Sequence, residues 1–275
     1  MNSLVLGLLA ETQLHPGSGQ NTGAIDLPVA REVKTNYPVL FGSGLKGALR
    51  GKAEQAGRDD IALVFGDPDA AGGVAVTDGR LLLLPLRSLT GHFKLATCTY
   101  LLDRFKRDMM LAGQKVEFES PAPAAGEAIT MSPGENNQIF LEEFSFSVKS
   151  NQALHSVTDA IKRLIRHEPL KKGLIEQLVV LNNHEFSYFA ANGLQINARN
   201  QLDDKTKTSL NLWYEETLPP DSLFYCLIIG RPGKETAIKA VIEMFNASPY
   251  LRVGGNETVG QGWCAVNVLE SRGVV

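Results

Sequence analysis

The sequence predicts an α+β fold with a split βαβ, ferredoxin-like core. Near the start, an apolar run at Ser3–Gln13 precedes the helical pattern of Gly42–Ala56. Near the end, a strand-like run at Leu223–Gly230 precedes the helical pattern of Lys234–Phe245 and a last strand at Cys264–Leu269. A β-α-β order that recurs later in the chain is typical of the split βαβ motif.

The elements of the first third follow from local patterns. Ser3–Gln13 is predicted as a largely buried strand because most of its positions are apolar. A glycine-rich loop follows it. At Ile25–Arg31 apolar residues occupy every second position, which places Asp26 on the opposite face, and Pro28 favours an edge strand. Gly42–Ala56 is predicted as a helix because its apolar side chains share one face.

The middle of the chain predicts short elements and loops. Asp78-Gly79 is a dipeptide typical of tight turns, so Val74–Leu86 is predicted as a β-hairpin. The polar stretch Asn182–Ser209 is predicted to leave the core. The other predictions are a helix end and loop at Gly57–Gly73, a helix at Tyr100–Ala112, a linker at Ser120–Gly126, a strand at Gln138–Val148, a basic amphipathic helix at Leu154–His167 and a buried strand at Leu178–Leu181.

Length and composition fit a single elaborated domain over residues 1–275. The chain is 44% hydrophobic and 21% charged, which excludes a disordered chain, a collagen and a disulfide-stapled miniprotein. Lys and Arg number 27 against 30 Asp and Glu, so the net charge is -3. A free-standing nucleic-acid binder is usually basic, so any such role needs a local basic patch.

Cysteine usage and hydropathy predict a cytoplasmic protein. Cys98, Cys226 and Cys264 are odd in number, far apart and free of any CxxC spacing, which is typical of reduced, buried thiols. The apolar run Leu4–Ala10 is interrupted by Gly7 and is too short for a secretion signal or a membrane span. We therefore expect no contact with a membrane.

A basic segment surrounds the first glycine-rich motif. From Arg31 to Arg58 there are six basic residues and two acidic ones, a local charge of +4. The motif Gly42–Gly47 matches GxGxxG, but no substantial strand precedes it, so a dinucleotide site is not favoured. A helix that begins on glycines exposes backbone N–H groups to an anion, and Lys46 and Arg50 add positive charge. The alternative is a solvated helix face.

The second glycine-rich segment is Val253–Trp263. One interpretation is a flexible loop before the last strand. Glycine at this density also marks a close approach of the backbone to another element or to a ligand.

Five segments resemble one known family. The chain is similar to the RAMP-superfamily backbone subunits of type III-B CRISPR (Cmr) effector complexes, the subunits that polymerise along the guide RNA. The matching segments follow the family's order and span nearly the whole chain. They are HPGSG at His15–Gly19, IDLPVARE at Ile25–Glu32, PVLFGSGLKGALR at Pro38–Arg50, LWYEETLPPDSLFY at Leu212–Tyr225 and VGGNETVGQGW at Val253–Trp263.

The resemblance implies an RNA-recognition-motif-like core with an inserted helical region, in a variable insertion at about 57–150. It also implies a protruding β-hairpin, or thumb, within 183–215, with a tip near Ala191–Gly193. Such a thumb pushes between guide and target bases and splays out a nucleotide. The implied partners are guide RNA, target single-stranded RNA, copies of the chain arranged head to tail, and other subunits of the ribonucleoprotein complex.

The resemblance also implies site residues. Asp26 matches the aspartate tied to target cleavage, and His15 and one of Glu215 and Glu216 match positions of lesser or disputed importance. The implied RNA-binding residues are Arg31, Ser43, Gly44, Lys46, Arg50, Gly254, Gly255 and Asn256.

The chemistry of RNA cleavage is compatible with Asp26. A carboxylate serves as a general base for the substrate 2′-hydroxyl or as an oxygen ligand of a divalent cation such as Mg²⁺ or Mn²⁺. A lone aspartate near a turn is more often a cap or a solvated side chain. His15 is equally compatible with a loop residue, and Glu215 and Glu216 with turn caps.

Three functions remain open from the sequence. The first is a guide-RNA-directed, divalent-metal-dependent endoribonuclease that acts only within the assembled complex and cuts target RNA at regular intervals. The second is a purely structural guide-binding subunit without nuclease activity. The third, a stand-alone RNA-processing nuclease, ranks last because it needs a histidine-centred site and a basic surface.

Overall fold

The computed structural model describes residues 2–20, 22–89, 91–132 and 135–271. Within them one 12-stranded mixed sheet, a separate two-stranded hairpin and seven α-helices are present. The strands are β1 (Ser3–Ala10), β2 (Val39–Leu40), β3 (Val74–Val76), β4 (Gly79–Arg87), β5 (Phe93–Cys98), β6 (Glu127–Thr130), β7 (Gln138–Leu141), β8 (Phe144–Ser150), β9 (Leu178–Leu181), β10 (Gln195–Leu202), β11 (Ser209–Thr217), β12 (Leu223–Gly230), β13 (Tyr250–Arg252) and β14 (Trp263–Glu270). The helices are α1 (Gly42–Gln55), α2 (Ile61–Phe65), α3 (Thr99–Leu111), α4 (Leu154–Lys162), α5 (Glu168–Gln177), α6 (Asn183–Asn192) and α7 (Glu235–Ala247).

The first and last thirds of the chain meet in one antiparallel unit. Its strand order is β14-β1-β12-β4, with α1 between β1 and β4 in sequence and α7 between β12 and β14. The predicted elements β1, α1, β12, α7 and β14 are therefore confirmed. The sheet continues from β4 through β5, β9, β6, β8 and β7.

Both faces of β1 are covered, which explains why its residues other than Ser3 and Gly7 are apolar. Leu4, Leu6 and Leu8 pack into one core with side chains of α1 and α7. Val5 and Leu9 point the other way, into a second core with side chains of α3 and α4. Because successive strand residues face opposite sides, a strand between two cores needs apolar residues at every position.

The predicted hairpin at Val74–Leu86 is wrong. β3 and β4 do not pair with each other, because both pair antiparallel with β12 and follow one another along it. Asp78 accepts a hydrogen bond from the backbone N–H of Gly42 at 2.7 Å. A Cβ atom on Gly79 would lie 3.0 Å from Leu40. The dipeptide therefore connects the strands to the start of α1 rather than reversing the chain.

Other predictions differ in extent. Gln138–Val148 is a hairpin of β7 and β8 rather than one strand, and Glu142 at its turn has a φ of 50°. The helix predicted at Leu154–His167 ends at Lys162. Ile25–Arg31 forms isolated bridges instead of a regular edge strand. The range 57–150, predicted as a variable insertion, contains six strands and two α-helices among its described residues, and its β4 belongs to the antiparallel unit.

The polar excursion divides into two parts. Its first part is α6, whose Phe186, Phe189 and Ala190 are buried in the core. Its second part is the hairpin of β10 and β11, which pairs with no other strand in the described chain. The turn of this hairpin lies at Asp203–Thr208, so the tip predicted near Ala191–Gly193 is wrong; those residues end α6 and follow it.

The cysteine prediction is confirmed. Cys98, Cys226 and Cys264 are all free and buried. Burial raises the pKa of the Cys226 thiol to about 12. The pKa of the Cys264 thiol is also raised to about 12, mainly by burial and to a smaller extent by the negative charge of Glu11. Separately, none of the described helices combines the length and the apolar character needed to span a bilayer.

Gly7 allows a close backbone contact in the centre of the sheet. A Cβ atom at this position would lie 2.1 Å from the carbonyl oxygen of Leu164, just after α4. A Cβ atom on Gly47, in α1, would meet nothing within 4 Å. The two glycines thus differ in what an added methyl group meets.

We expect Gly7→Ala to lower the free energy of unfolding by about 1–3 kcal/mol, the cost of overpacking a rigid core. Gly47→Ala is the matched control, and it should raise that free energy by about 0.5–1 kcal/mol because alanine favours a helix over glycine. Urea unfolding of the two variants measures both effects. Equal stability of Gly7→Ala and the unaltered chain would contradict the contact at Leu164.

Candidate functional site

The base of the β10–β11 hairpin positions Asp26. Leu27 donates its backbone N–H to the carbonyl of Tyr214 at 3.0 Å, and the N–H of Glu216 donates to the carbonyl of Leu27 at 3.0 Å. These bonds form a parallel bridge between Leu27 and Glu215. The segment after the glycine-rich loop is thereby fixed along the end of β11.

The Asp26 carboxylate is held by one oxygen. Its Oδ2 accepts a hydrogen bond from the backbone N–H of Tyr214 at 2.8 Å. No described residue bonds to Oδ1, and the side chain is half-buried. A carboxylate that is held in place through one oxygen, with its other oxygen free, can take a proton or contact a cation.

His15 lies beside this segment with a defined tautomer. Its side chain is almost buried, and Nδ1 lies 2.8 Å from the carbonyl oxygen of Glu216. Because a carbonyl oxygen only accepts, Nδ1 carries the proton. In the neutral ring Nε2 is then the unprotonated nitrogen, and it packs against Gly17.

Glu216 is engaged inside the protein. It is 4% exposed, and its carboxylate accepts from the N–H of Val29 at 3.0 Å and from Arg31 at 2.6 Å. Arg31 also donates to the carbonyls of Ala190 at 2.6 Å and Asn36 at 2.9 Å. To act as a catalyst or as an RNA ligand, either residue would have to give up these bonds. Their contacts favour a structural part.

Glu215 joins the hairpin to the second glycine-rich segment. It is 2% exposed, and Arg199 on β10 donates to it at 3.3 Å. Asn256 donates both to Glu215 and, at 2.9 Å, to Gln261. Gln261 in turn donates to Gln13 at 3.0 Å. This chain of amides anchors the glycine-rich loop to the hairpin.

The glycines of that loop allow contact with His15. Gly254 has a φ of 87°, and a Cβ atom on it would lie 2.6 Å from the carbonyl oxygen of His15. The N–H of Gly255 donates to the same oxygen at 2.9 Å. The close approach expected from the glycine density is therefore to another part of the chain.

The predicted RNA-binding residues of α1 lie on a second surface. Ser43 and Gly44 are exposed, and Lys46 is half-buried. Arg50 pairs with Glu54 at 2.9 Å and donates to the carbonyl of Gly66 at 3.0 Å. The N–H of Gly42 is already bonded to Asp78, so part of the helix N-terminus is occupied.

A cleft of about 510 Å³ runs between α1 and β13. Gly44, Gly47 and Gly51 of α1 face open space, which leaves that helix side bare. Because Gly254 lines the cleft and also contacts His15, the cleft adjoins the Asp26 segment.

Three further residues line the cleft: Lys52, Arg252 and Trp263. Arg252 lies over the ring of Trp263 at 5.6 Å, and Lys52 donates to the carbonyl of Tyr250 at 3.0 Å. Burial lowers the pKa of the Lys52 ammonium group. The only signal for these residues was their position next to the two glycine-rich motifs.

The described residues contain no group of three or more His, Cys, Asp or Glu side chains placed to hold a metal ion. Glu215 and Glu216 are committed to protein donors. Asp26 has a carboxylate oxygen, Oδ1, that no described residue bonds to, which fits a cation held mainly by substrate phosphate and water, a mode that Mg²⁺ uses.

The chain is similar to curated proteins over almost its whole length. The chain is 35% identical to the "CRISPR system Cmr endoribonuclease Cmr4" of Pyrococcus furiosus, over 98% of this chain and 97% of that protein. It is 27% identical to the "CRISPR system CMR subunit Cmr4" of Saccharolobus solfataricus, over 92% of both chains.

Solved structures show the same fold. The crystal structure of oligomeric Cmr4 from Pyrococcus furiosus matches with a TM-score of 0.80 at 31% identity, over 98% of both chains. A chain of the type III-B Cmr-beta complex bound to cognate target RNA matches with a TM-score of 0.76 at 23% identity, over 99% of this chain and 98% of that one. The RAMP superfamily model matches residues 8–265, and the chain therefore belongs to the RAMP superfamily.

Proposed function

We propose that this chain is a repeating backbone subunit of a type III-B CRISPR effector complex and that it cleaves target RNA paired with the guide, at regular intervals. The observation that carries the proposal is the Asp26 carboxylate, held through Oδ2 at the hairpin base with Oδ1 free. The likeness to the Pyrococcus furiosus endoribonuclease over almost the whole chain supports it.

The fold suggests how the parts divide the work. The unit β14-β1-β12-β4 serves as the RNA-recognition-motif-like core, and the β10–β11 hairpin serves as the thumb. The hairpin begins at Gln195 rather than at 183, since α6 belongs to the core. One copy stacks head to tail on the next, and the spacing of the copies along the guide sets the cutting interval. The proposed complex also contains other subunits, and it is cytoplasmic.

Asp26 acts as the general base in this mechanism. It takes the proton of the target 2′-hydroxyl, and the 2′ oxygen attacks the adjacent phosphorus while the P–O5′ bond breaks. The departing 5′ oxygen takes a proton from water. The products carry a 2′,3′-cyclic phosphate and a 5′-hydroxyl. The bond from Tyr214 keeps the carboxylate oriented throughout.

A divalent cation would be held by Asp26 together with an RNA phosphate, and it would supply positive charge next to the phosphorus. Addition of EDTA to the assembled complex, with Mg²⁺ or Mn²⁺ restored afterwards, measures this requirement. Cleavage that persists without divalent ions would leave Asp26 as a base only.

The cleft beside α1 is the proposed path of the guide. Its bare glycine face admits a phosphate backbone at close range, and Lys52 and Arg252 line it, with Arg252 also paired to Glu257. Lys46 adds positive charge elsewhere on α1. Trp263 is exposed and offers a ring for stacking. Phosphate contacts hold the guide without reading its sequence, and base pairing supplies target specificity. A basic cleft reconciles guide binding with a net charge of -3.

A purely structural guide-binding subunit is the second candidate. The buried positions of Glu215 and Glu216 favour it, because these carboxylates stabilise the hairpin base instead of facing a substrate. The two candidates differ in the fate of bound target RNA.

Asp26→Asn separates these two functions. The amide oxygen keeps the bond to Tyr214, but the side chain no longer takes a proton, so cleavage should fall by about 10²-fold or more while guide and target binding persist. The rate is measured on labelled target RNA in the assembled complex. Asp59→Asn, at an exposed site before α2, is the matched control.

A 2′-deoxy nucleotide before the scissile phosphate should block cutting there. Full cutting by Asp26→Asn would favour the structural subunit.

The guide path is tested through the salt dependence of RNA binding. Lys46→Ala with Arg50→Ala should weaken binding of all sequences and reduce the slope of log K against log salt by about two charges. Arg58→Ala is the control, because Arg58 lies beyond the end of α1 and pairs with two carboxylates, Asp60 at 2.6 Å and Glu243 at 3.0 Å, whereas Arg50 pairs with one. An unchanged slope in the double variant would place α1 away from RNA.

The hairpin is tested by shortening it. Replacement of Asp203–Thr208 with Asn-Gly joins Leu202 to Ser209 through a two-residue turn that these paired positions accept. We expect guide binding to persist and target cleavage to fall by about 10²-fold, because displaced reacting atoms lose their in-line alignment. Unchanged cleavage would show that the tip does not position the target.

A further inference from the structure

A pocket with aromatic walls lies between the β7–β8 hairpin and α6, at the opposite end of the sheet from β13 and the proposed guide cleft. Its volume is about 320 Å³. Its lining side chains combine a group of aromatic rings with one carboxylate, beside the backbone of Gly126. The residues that matter are Phe144, Phe146, Glu185, Tyr188 and Phe189.

Phe144 packs edge to face against Tyr188 and Phe189, and Phe189 is itself buried. Phe144 meets Tyr188 with centroids 5.1 Å apart and an interplanar angle of 78°. It meets Phe189 at 5.6 Å and 83°. Phe144 and Tyr188 are 38% and 45% exposed, so ring surface is open to solvent. Ring faces arranged in this way attract a cation.

The carboxylate of Glu185 is only half satisfied. Its Oε1 accepts from the N–H of Gly126 at 2.5 Å. Its Oε2 is buried and has no hydrogen-bond partner among the described residues. A buried carboxylate oxygen without a partner costs free energy that a donor with positive charge recovers.

The surroundings are acidic. Glu143 lies 3.5 Å from the hydroxyl of Tyr188, and an adjoining groove that shares Tyr188 and Phe189 is also lined by Asp221. Arg87 in that groove is already paired with Glu142. Carboxylates repel nucleic-acid phosphates, so charge complementarity favours a basic protein segment on this surface.

We propose that this pocket binds the guanidinium group of an arginine side chain presented by another protein. A guanidinium is planar, so it stacks on the exposed ring faces while its N–H groups reach a carboxylate. The uncommitted Oε2 of Glu185 is the acceptor, and Gly126 holds the other oxygen in place. This site is separate from the proposed cleavage and guide surfaces and does not depend on them.

The backbone amide of Gly126 is a local reporter because it donates to Glu185. The full chain, labelled with ¹⁵N, is titrated with acetyl-Gly-Arg-Gly-amide and with the same peptide carrying citrulline, which has nearly the same shape but no charge. We expect the arginine peptide to shift the Gly126 signal saturably and to bind about tenfold or more tightly than the citrulline peptide.

Two variants test the residues. Glu185→Gln keeps an oxygen for Gly126 and replaces the free acceptor with a donor, so it should weaken arginine-peptide binding by about tenfold. Tyr188→Leu removes an exposed ring and should weaken it by several-fold even if the first variant does not fold. Glu119→Gln, an exposed glutamate between α3 and β6, is the control and should bind as the unaltered chain does.

The proposal is overturned by any of three results. They are no saturable shift with the arginine peptide, equal binding of the citrulline peptide, or displacement of the arginine peptide by a single-stranded RNA oligonucleotide that binds at Gly126.

Discussion

The pairing between the segment after the first glycine-rich loop and the end of β11 holds the candidate site together. Backbone bonds of Leu27 set its register against Tyr214 and Glu216. In this register Asp26 meets the N–H of Tyr214, and Val29 meets the carboxylate of Glu216. A shift of one residue would turn Asp26 to the other side of the segment. The position of the carboxylate is thus a property of the hairpin base.

Buried ionic contacts lock this register. Glu216 pairs with Arg31 at 2.6 Å in a largely buried setting, where removal of one partner leaves an uncompensated charge. Arg31 reaches the carbonyl of Ala190 at the end of α6, so the same side chain ties the segment to the core. Glu215 connects the hairpin to the glycine-rich loop through Asn256. The two glutamates support the site without facing a substrate.

The sequence predicted those parts that local patterns determine. The largely apolar run of β1 predicted a buried strand, and the structure gives the reason: one hydrophobic core covers each face of the strand. The Asp78-Gly79 prediction failed because its local signal is the same for a turn and for a link that bonds to Gly42. For Glu216 the partner Arg31 lies 185 residues away, and a single sequence carries no signal of such a pairing. Asp26 was identified through the family resemblance, and only the structure shows which of its oxygens is free.

For a site with one free carboxylate, most of the rate increase comes from the alignment of the reacting atoms, which other parts of the assembly supply. A general base contributes about 10²–10⁴-fold on its own, whereas alignment of reacting atoms reaches effective molarities of about 10⁵–10⁸ M. RNA in its ordinary helical form does not place the 2′ oxygen in line with the phosphorus. A nucleotide splayed by a hairpin can reach that alignment. In this chain β11, which holds Asp26 through Tyr214, is itself one strand of the hairpin. The splayed geometry also needs a guide held in register by neighbouring copies. Under the proposed mechanism an isolated chain has the carboxylate without the alignment, which is the physical reason to expect cleavage only in the assembled complex.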